Sequence, residues 1–290
     1  MKVNKGPMVS VLMTSYNREG YIAEAIESVL ASTYENFELI IVDDASTDKT
    51  VEIAKRYEEK DNRIKVFEND KNIGQFCNRN KAAHYAKGKY VKYVDSDDRI
   101  YDWGLAYCVE LMEKYPDAGM GIFQASNKVD EEYLDSKKAV NKHFFENSFL
   151  NIGPSGTILR RISFEKEGYY KQDYGVPSDM YFNIKMASLF PVVMLKKEFF
   201  FYREHEGQEI KNRDSYLFYN YPFMRDIVQL PGLPVSDEGK KDIFSRARQS
   251  LIRSCLSDIK NTHRIKPAFK AIKLSGLTFS QIIKTIFSNY

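Results

Sequence analysis

The sequence has few cysteines and no long apolar run. Its three cysteines, Cys77, Cys108 and Cys255, are widely spaced and form no CxxC pair. This spacing argues against a disulfide framework or a zinc site and favours a reducing compartment. No stretch of about 20 apolar residues is present, and the start MKVNKGPMVSVLMTSYN lacks a small-residue cleavage pattern. We therefore predict neither a transmembrane helix nor a signal peptide.

Glycine-rich phosphate-binding motifs are also missing. None of the strand-like runs is followed by GxGxxG or GxxxxGK[ST], so dinucleotide binding and P-loop phosphate binding are not supported. The composition itself is ordinary for a soluble globular protein, with 43% hydrophobic and 29% charged residues. A length of 290 residues accommodates one large domain, or one domain with an appendage.

Charge is distributed unevenly along the chain. From Lys240 to Tyr290 there are eleven Lys or Arg residues against two Asp, whereas the preceding part has 32 basic and 38 acidic residues. Such a basic tail suggests contact with a membrane surface or an acidic ligand. No base-stacking motif accompanies the charge, so nucleic acid is not a predicted partner.

In the first hundred residues, short apolar runs alternate with segments of helical periodicity. The apolar runs predict four strands, at residues 9–13, 37–42, 64–67 and 90–94. The periodic segments predict three helices, at residues 21–30, 47–57 and 75–86. Ser46 or Thr47 is expected to cap the second of these helices. Alternating strands and helices imply right-handed crossovers and a mostly parallel sheet.

The remainder of the chain is less regular at first and then almost entirely helical. Short strands are predicted at 121–125, 157–160 and 199–202, and a helix at 178–189 with Asp179 in its first turn. After Asp214 the pattern is helical, with breaks expected at 230–234 and at Pro267.

Polar clusters follow three of the predicted strands. They are Thr14 to Asn17, the pair Asp43 and Asp44, and Asp95 to Asp98. In open parallel sheets, ligands bind beyond the carboxyl ends of the strands, where the strand order reverses. We therefore expect these clusters to line one ligand-binding edge.

The last cluster, Asp95-Ser96-Asp97-Asp98, places three carboxylates within four residues. Without a counter-ion they would repel one another and at least one pKa would rise. Carboxylate oxygens suit Mg²⁺ or Mn²⁺, which bridge to diphosphate oxygens and retain water ligands. The alternative is a solvated turn in which Asp98 or Asp102 caps the next helix.

The other candidate residues each have a structural alternative. Asp44 can accept hydrogen bonds from a nucleobase or ribose, or its pair with Asp43 can cap a helix together with Ser46. Tyr16 can stack on a base whose edge bonds to Thr14, and Arg79 can offset phosphate charge or be merely exposed.

Two candidates lie further along the chain. Asp179 can act in catalysis or cap its helix, and His205 can complete a metal shell or be an ordinary surface histidine.

Taken together, these segments resemble glycosyltransferase family 2. The resemblance is carried by VSVLMTSYNREGYIAEAIESVLASTYENFELIIVDDAS and NIGQFCNRNKAAHYAKGKYVKYVDSDD. It is dense over about the first 100 residues and thinner as far as Arg213. The QxxRW motif of processive members is absent, which favours addition of one sugar per encounter.

The resemblance implies specific roles for these positions. The nucleobase contacts would be Thr14, Tyr16 and Asp44. Asp95, towards the ribose, and Ser96 would bind the donor together with Arg79, and Asp97 with Asp98 would hold the metal. Asp179 is similar in placement to the family's catalytic base, and His205 to a histidine that joins the metal shell in some members.

The fold implied by the resemblance is α/β of the GT-A type, a Rossmann-like, mostly parallel sheet flanked by helices. We expect a catalytic domain at 1–213, with a nucleotide-binding half at 1–100 and an acceptor-binding half at 101–213. A basic, amphipathic helical extension is expected at 214–290.

The implied activity is inverting, metal-dependent transfer from a nucleotide diphosphate sugar, commonly a UDP-sugar, to a glycan or lipid-linked saccharide. A sugar nucleotidyltransferase and a non-catalytic sugar-nucleotide sensor are the alternatives. In the C-terminal segment, Phe279, Ile282, Ile283, Ile286 and Phe287 share one helical face, and lysines supply positive charge. We expect a cytoplasmic protein whose last helices either lie on the inner face of the membrane or pack on the domain.

Overall fold

The computed structural model describes residues 8–124, 130–205, 208 and 211–287. Its centre is an eight-stranded sheet with the order β3-β2-β1-β4-β8-β6-β9-β7. The strands of this sheet are β1 (Val9–Ser15), β2 (Phe37–Asp43), β3 (Ile64–Glu68), β4 (Tyr90–Tyr93), β6 (Met120–Phe123), β7 (Tyr133–Leu134), β8 (Thr157–Arg160) and β9 (Val192–Leu195). A two-stranded antiparallel ribbon joins β5 (Arg99–Ile100) to β10 (Phe200–Phe201).

Strand direction divides the sheet into two parts. β3, β2, β1 and β4 are mutually parallel, whereas β8 runs antiparallel to both β4 and β6. The chain builds outward from β1 to β2 and β3, and then returns to place β4 on the other side of β1. The strand order therefore reverses at β1 and β4, which opens a crevice at their carboxyl ends.

Helices cover both faces of the sheet because the strands carry apolar residues on both faces. Val11 and Met13 of β1 pack with α1 (Ile22–Leu30), α2 (Thr50–Glu58) and α4 (Gly104–Lys114). Leu12 faces the opposite core, which contains α3 (Gln75–Tyr85), α5 (Ser136–Phe145), α6 (Arg161–Glu167) and α7 (Ser178–Leu189). Successive side chains of a strand point to opposite faces, and here both faces are buried.

The C-terminal part consists of four helices, α8 (Arg213–Val228), α9 (Asp237–Thr262), α10 (Ile265–Ser275) and α11 (Phe279–Phe287). Phe223, Ile227 and Ile243 of this part belong to the same apolar core as the sheet and α7. A second, smaller core lies between α8, α9 and α10. Among the described residues, none of the helices has the length and apolar composition needed to cross a membrane.

Two local predictions at helix ends are wrong. The cap of α2 is neither Ser46 nor Thr47: the helix begins at Thr50, and Asp48 Oδ1 accepts from the Thr50 amide at 2.9 Å. The chain also does not break at Pro267, which lies in the first turn of α10, where its missing amide hydrogen is not needed. The break lies earlier, at His263, whose φ is 53°.

The predicted strands are present and differ from the structure at their ends, whereas β5, β7 and β9 were not predicted. β1 and β2 each extend further than predicted, to Ser15 and Asp43. The strand expected at 199–202 is limited to Phe200–Phe201. Of the strand expected at 121–125, position 125 lies outside the described residues.

Candidate active site

The loops that follow β1 and β2 are joined by side-chain hydrogen bonds. The Asn17 amide donates to Ser46 Oγ at 2.8 Å, and Asn17 Oδ1 accepts from the Thr47 amide at 2.8 Å. Asp43 Oδ2 accepts from Ser15 Oγ at 2.8 Å and from Ser46 Oγ at 2.6 Å. Asp43 is thus a structural residue that fixes the two strand ends to each other.

Asp44 is buried and organises the next loop. Its Oδ1 accepts from Asn69 Nδ2 and from the Ile73 amide, both at 2.8 Å, and its Oδ2 accepts from the Gly74 amide at 2.9 Å. Gly74 has a φ of 89°, a conformation that favours glycine, and α3 begins immediately after it. A carboxylate has about four acceptor positions, so Asp44 can accept a further donor from a ligand.

The other two expected nucleobase contacts lie at the same edge. Thr14 is half-buried near the end of β1, where it pairs with Val42 of β2. Tyr16 follows the strand and is 44% exposed. This arrangement suits a nucleobase, because the exposed ring can stack on the face of the base and the buried carboxylate can accept a hydrogen bond from its edge.

Arg79 connects the acidic end of β4 to α7. Its Nη2 lies 3.2 Å from each carboxylate oxygen of Asp95, and its Nη1 lies 3.4 Å from Asp179 Oδ1. The guanidinium is buried, and the backbone carbonyl of Arg79 accepts from Tyr93 Oη at 3.0 Å. Arg79 therefore holds two carboxylates from different parts of the chain in one site.

Asp179 has the electrostatic character of a general base. Burial raises the pKa of Asp179 to about 6, with the Arg79 charge opposing the rise and the Asp95 charge adding to it. A carboxylate with this pKa is ionised at neutral pH and still binds a proton readily. The residue lies in the first turn of α7, where the helix dipole also favours its charged form.

Asp97 and His205 meet although 108 residues separate them. His205 Nε2 lies 3.0 Å from Asp97 Oδ2, and the imidazole stacks on Tyr21 with ring centroids 5.1 Å apart. Arg18 Nε donates to the same carboxylate oxygen at 3.0 Å. Ser96 is buried in the turn beside them.

Asp98, expected as a third metal ligand, is not part of this pair. It is buried, and its Oδ1 accepts from the Arg203 amide at 3.0 Å. Burial raises the pKa of Asp98 to about 7, with the charges of Asp95 and Asp97 adding to the rise. Among the described residues, no three or more His, Cys, Asp or Glu side chains form a group that could hold a metal.

The two-residue set would hold a divalent cation by exchanging the Asp97–His205 contact and the Arg18 contact at the same oxygen for bonds to the ion. Neighbouring ligands of an octahedral ion at about 2.1 Å lie about 3.0 Å apart. Asp97 Oδ2 and His205 Nε2 have this separation of 3.0 Å. Mg²⁺ in nucleotide sites is typically held by one or two protein groups together with substrate phosphates and water.

A buried lysine lies beneath the acidic turn. Lys92 of β4 donates to the carbonyls of Tyr93 at 2.5 Å and Ser155 at 2.6 Å, and burial lowers the pKa of Lys92 to about 8. Ser155 Oγ in turn donates to Asp95 Oδ2 at 3.3 Å. Lys92 therefore ties the loop before β8 to the carboxylate that pairs with Arg79.

Sequence reasoning missed Arg18, Lys92, Ser155 and Arg203. Lys92 carries a recognisable signal, since a charged residue interrupts the apolar run YVKYV. Arg18 directly follows a cluster that was identified, but its contact with Asp97 has no local signature. Ser155 and Arg203 lie in irregular segments whose contacts depend on the fold.

The loop that leads to Asp179 is fastened to the C-terminal helices. Ser215 Oγ of α8 accepts from the Val176 amide at 2.9 Å. A Cβ at Gly175 would lie 2.4 Å from this hydroxyl oxygen, and Gly175 has a φ of 56°. Only glycine fits a position with both constraints, so α8 and the loop before Asp179 are closely matched.

Comparison with known proteins is consistent with this geometry. The model described as "Glycosyl transferase family 2" matches residues 10–179. An uncharacterized glycosyltransferase of Methanocaldococcus jannaschii is 33% identical over 226 residues, which are 73% of this chain and 73% of that protein.

Two solved structures share the fold at low sequence identity. TarS 1–349 of S. aureus, in complex with UDP-GlcNAc, has a TM-score of 0.74 at 20% identity, covering 97% of this chain and 82% of that one. The mannosyltransferase PcManGT of Pyrobaculum calidifontis, in complex with GDP-Man and Mn²⁺, has a TM-score of 0.64 at 15% identity, covering 99% and 89%.

Proposed function

This chain belongs to glycosyl transferase family 2 and has the GT-A fold, and on that premise we propose that it transfers a single sugar from a UDP-sugar to a saccharide hydroxyl, with inversion at the anomeric carbon. The observation that carries the proposal is the Arg79 bridge. It brings Asp95, at the donor end of β4, and Asp179, at the start of α7, into one crevice.

The residues at the carboxyl ends of β1 and β2 support a nucleotide-sugar donor. Tyr16 offers an exposed ring and Asp44 an acceptor for the edge of a nucleobase, while Thr14 lies near the end of β1, opposite Val42 of β2. TarS, which shares the fold, was solved with UDP-GlcNAc, and this supports a uridine nucleotide. Asp95 and Ser96 at the end of β4 would face the ribose, with Arg79 beneath the diphosphate.

We propose Mn²⁺ or Mg²⁺ as the cofactor, held by Asp97 and His205. When bound, such an ion stabilises the negative charge that develops on the departing diphosphate. Arg18, at 3.0 Å from Asp97, adds a positive charge on the same side of the crevice. The related fold of PcManGT was solved with GDP-Man and Mn²⁺, which supports a divalent ion here.

Asp179 is proposed as the general base. It accepts the proton of the acceptor hydroxyl as that oxygen bonds to the anomeric carbon. The bond from that carbon to the diphosphate oxygen breaks on the opposite face, so the configuration inverts. Proton transfer of this kind contributes about 10² to 10⁴ in rate. Arg79 orients the carboxylate and restrains its pKa.

We also propose that the enzyme works at the cytoplasmic face of a membrane, on a membrane-linked saccharide. In α11, Phe279, Ile283 and Phe287 are exposed along one side, with Phe279 at 78% and Phe287 at 67%. Phe269 of α10 is 70% exposed. From Lys240 onward the chain has eleven basic residues and two acidic ones, so this surface suits an anionic bilayer.

The proposed activity is tested by thermal shift with a panel of nucleotide sugars, with and without Mn²⁺, followed by product analysis. We expect stabilisation by UDP-sugars that increases with Mn²⁺, and release of UDP on transfer. Release of pyrophosphate would identify a sugar nucleotidyltransferase instead. Donor binding with neither hydrolysis nor transfer would identify a sensor.

A further inference from the structure

A cleft separates the catalytic part of the molecule from the C-terminal helices. It has a volume of about 460 Å³, within the range of small-molecule sites. Its walls are α5, the loop after α5, and helices α7, α8 and α9. The proposals above for donor, metal and base make no use of this space.

The lining of the cleft includes neighbours of the proposed base. Met180, which directly follows Asp179, lines it, and so does Tyr216 of α8. Burial raises the pKa of Tyr216, and the negative charge of Asp179 adds to the rise. The cleft lining therefore includes a phenol close enough to Asp179 for the charge of Asp179 to act on it.

His143 of α5 is one of the polar residues that line the cleft. The residue is 3% exposed, and its Nδ1 accepts from the Leu150 amide at 3.1 Å. Burial lowers the pKa of His143 to about 4, so the ring is neutral and its proton is on Nε2. Its Nε2 is not one of the fully buried side-chain atoms that lack a partner in the described part of the chain. A ligand in the cleft could accept a hydrogen bond from Nε2 in place of solvent.

The remaining lining matches an uncharged polyhydroxylated molecule. The aromatic residues Phe144 and Tyr221, both largely buried, line the cleft together with the polar residues Asn220 and Ser250. Sugar rings combine these requirements, since they offer an apolar face for an aromatic ring and hydroxyls for amides. The charged groups are largely satisfied within the protein. Arg213 pairs with Asp258 at 3.4 Å, and Arg246 with Asp242 at 3.1 Å.

We propose that this cleft is the acceptor site and that it binds one or two neutral sugar rings next to Asp179. The inference rests on the proposed function, since it assigns the acceptor of the same reaction. It makes α8 and α9 part of substrate recognition. His143 Nε2 would donate to a ring or hydroxyl oxygen.

The test uses saturation-transfer NMR in the presence of UDP and Mn²⁺. The probes are glucose, galactose, N-acetylglucosamine and the β1,4-linked disaccharides cellobiose, lactose and chitobiose. The cleft is blocked by Ser250→Tyr, an exposed serine of α9 that lines it. The matched control is Ser257→Tyr, an exposed serine two turns further along the same helix and outside the cleft.

We expect at least one saccharide to bind the wild type and Ser257→Tyr, and to bind Ser250→Tyr at least tenfold more weakly. UDP affinity, measured by calorimetry, should be equal in all three proteins. Equal saccharide binding by Ser250→Tyr, or no saccharide signal from a wild type that binds UDP, would overturn the inference alone. A wild type that fails to bind UDP would overturn the proposed function, and the acceptor site with it.

Discussion

Nη1 of Arg79 lies 3.4 Å from Oδ1 of Asp179, across 100 positions of sequence. The contact keeps a positive charge beside a carboxylate whose burial would otherwise favour its neutral form. Asp179 is consequently both oriented and ionised near neutral pH, which are the two properties that a general base requires.

Asp179→Asn is expected to reduce transfer by about 10² to 10⁴, because the amide cannot accept the acceptor's proton. UDP binding should change little, since Asp179 contacts Arg79 and none of the residues proposed to bind the uracil ring. Transfer rate and UDP affinity are measured on the same preparation. Asp173→Asn, at an exposed acid of the same loop, is the control and should retain full activity. Full transfer by the Asp179 variant would remove it as the base.

The pH dependence of kcat/KM should report Asp179. Burial raises the pKa of Asp179 to about 6, and only the ionised form accepts a proton. The rate should therefore rise with pH below this value and level off above it. Because the Arg79 charge lowers this pKa, Arg79→Gln should move the rising limb to higher pH. A profile without a rise below neutrality in the wild type would contradict this assignment.

Lys92 should make stability depend on alkaline pH. Burial lowers the pKa of Lys92 to about 8 from 10.5, so the folded protein loses this proton before the unfolded chain does. Between these values the unfolded state binds more protons, and stability from this group rises with pH. Between pH 8 and pH 10, the free energy of unfolding of the wild type should increase by about 2 kcal/mol relative to that of Lys92→Met.

Urea denaturation at pH 8 and pH 10 measures this difference for Lys92. The control is Lys65→Met, since Lys65 is exposed on β3 and should show no such change relative to the wild type. If the free energy of unfolding depended on pH in the same way in the wild type and in Lys92→Met, the Lys92 ammonium would not be buried in solution.

Removal of the divalent ion should abolish turnover. Asp97 and His205 supply only two protein ligands, so the ion should bind weakly without the donor diphosphate. His205→Ala is expected to raise the Mn²⁺ concentration for half-maximal activity by on the order of tenfold or more. The comparison variant is His84→Ala, at an exposed histidine of α3. Full activity in excess chelator would refute metal dependence.

The exposed C-terminal aromatics should determine membrane binding. The double variant Phe279→Ser and Phe287→Ser removes apolar surface that would enter the bilayer interface. We expect sedimentation of the wild type with vesicles containing phosphatidylglycerol, less in high salt, and loss of sedimentation in the variant. Ile162→Ser, at a 71% exposed position on α6, should behave as the wild type. Equal sedimentation of the double variant would leave these helices without a membrane role.

The parts of the fold that local patterns determine could be predicted. The end of a strand is visible in the sequence where an apolar run gives way to polar residues. The polar clusters at the ends of β1, β2 and β4 could therefore be located. The choice of cap for α2 depended on which side chain reaches a free amide, and Asp48 does so where Ser46 was expected. Ser46 instead bonds to Asp43 and Asn17 across the two strand ends.

Contacts between distant segments could not be predicted in the same way. The presence of Asp97 was clear from sequence, but its shared oxygen with Arg18 and His205 results from three loops that only the sheet brings together. Similarly, Asp179 was a candidate by resemblance alone, whereas its contact with Arg79 depends on how α3 and α7 pack beside β4.

The hydrogen bond from the Val176 amide to Ser215 sets a limit on how far the enzyme can be shortened. A protein that ends before α8 would keep every residue proposed to bind the donor and would lose the hydroxyl that anchors the segment before Asp179. The same truncation would expose the apolar core that Phe223, Ile227 and Ile243 share with the sheet. The C-terminal helices are therefore needed both to cover the sheet and to hold the loop that carries Asp179 in place.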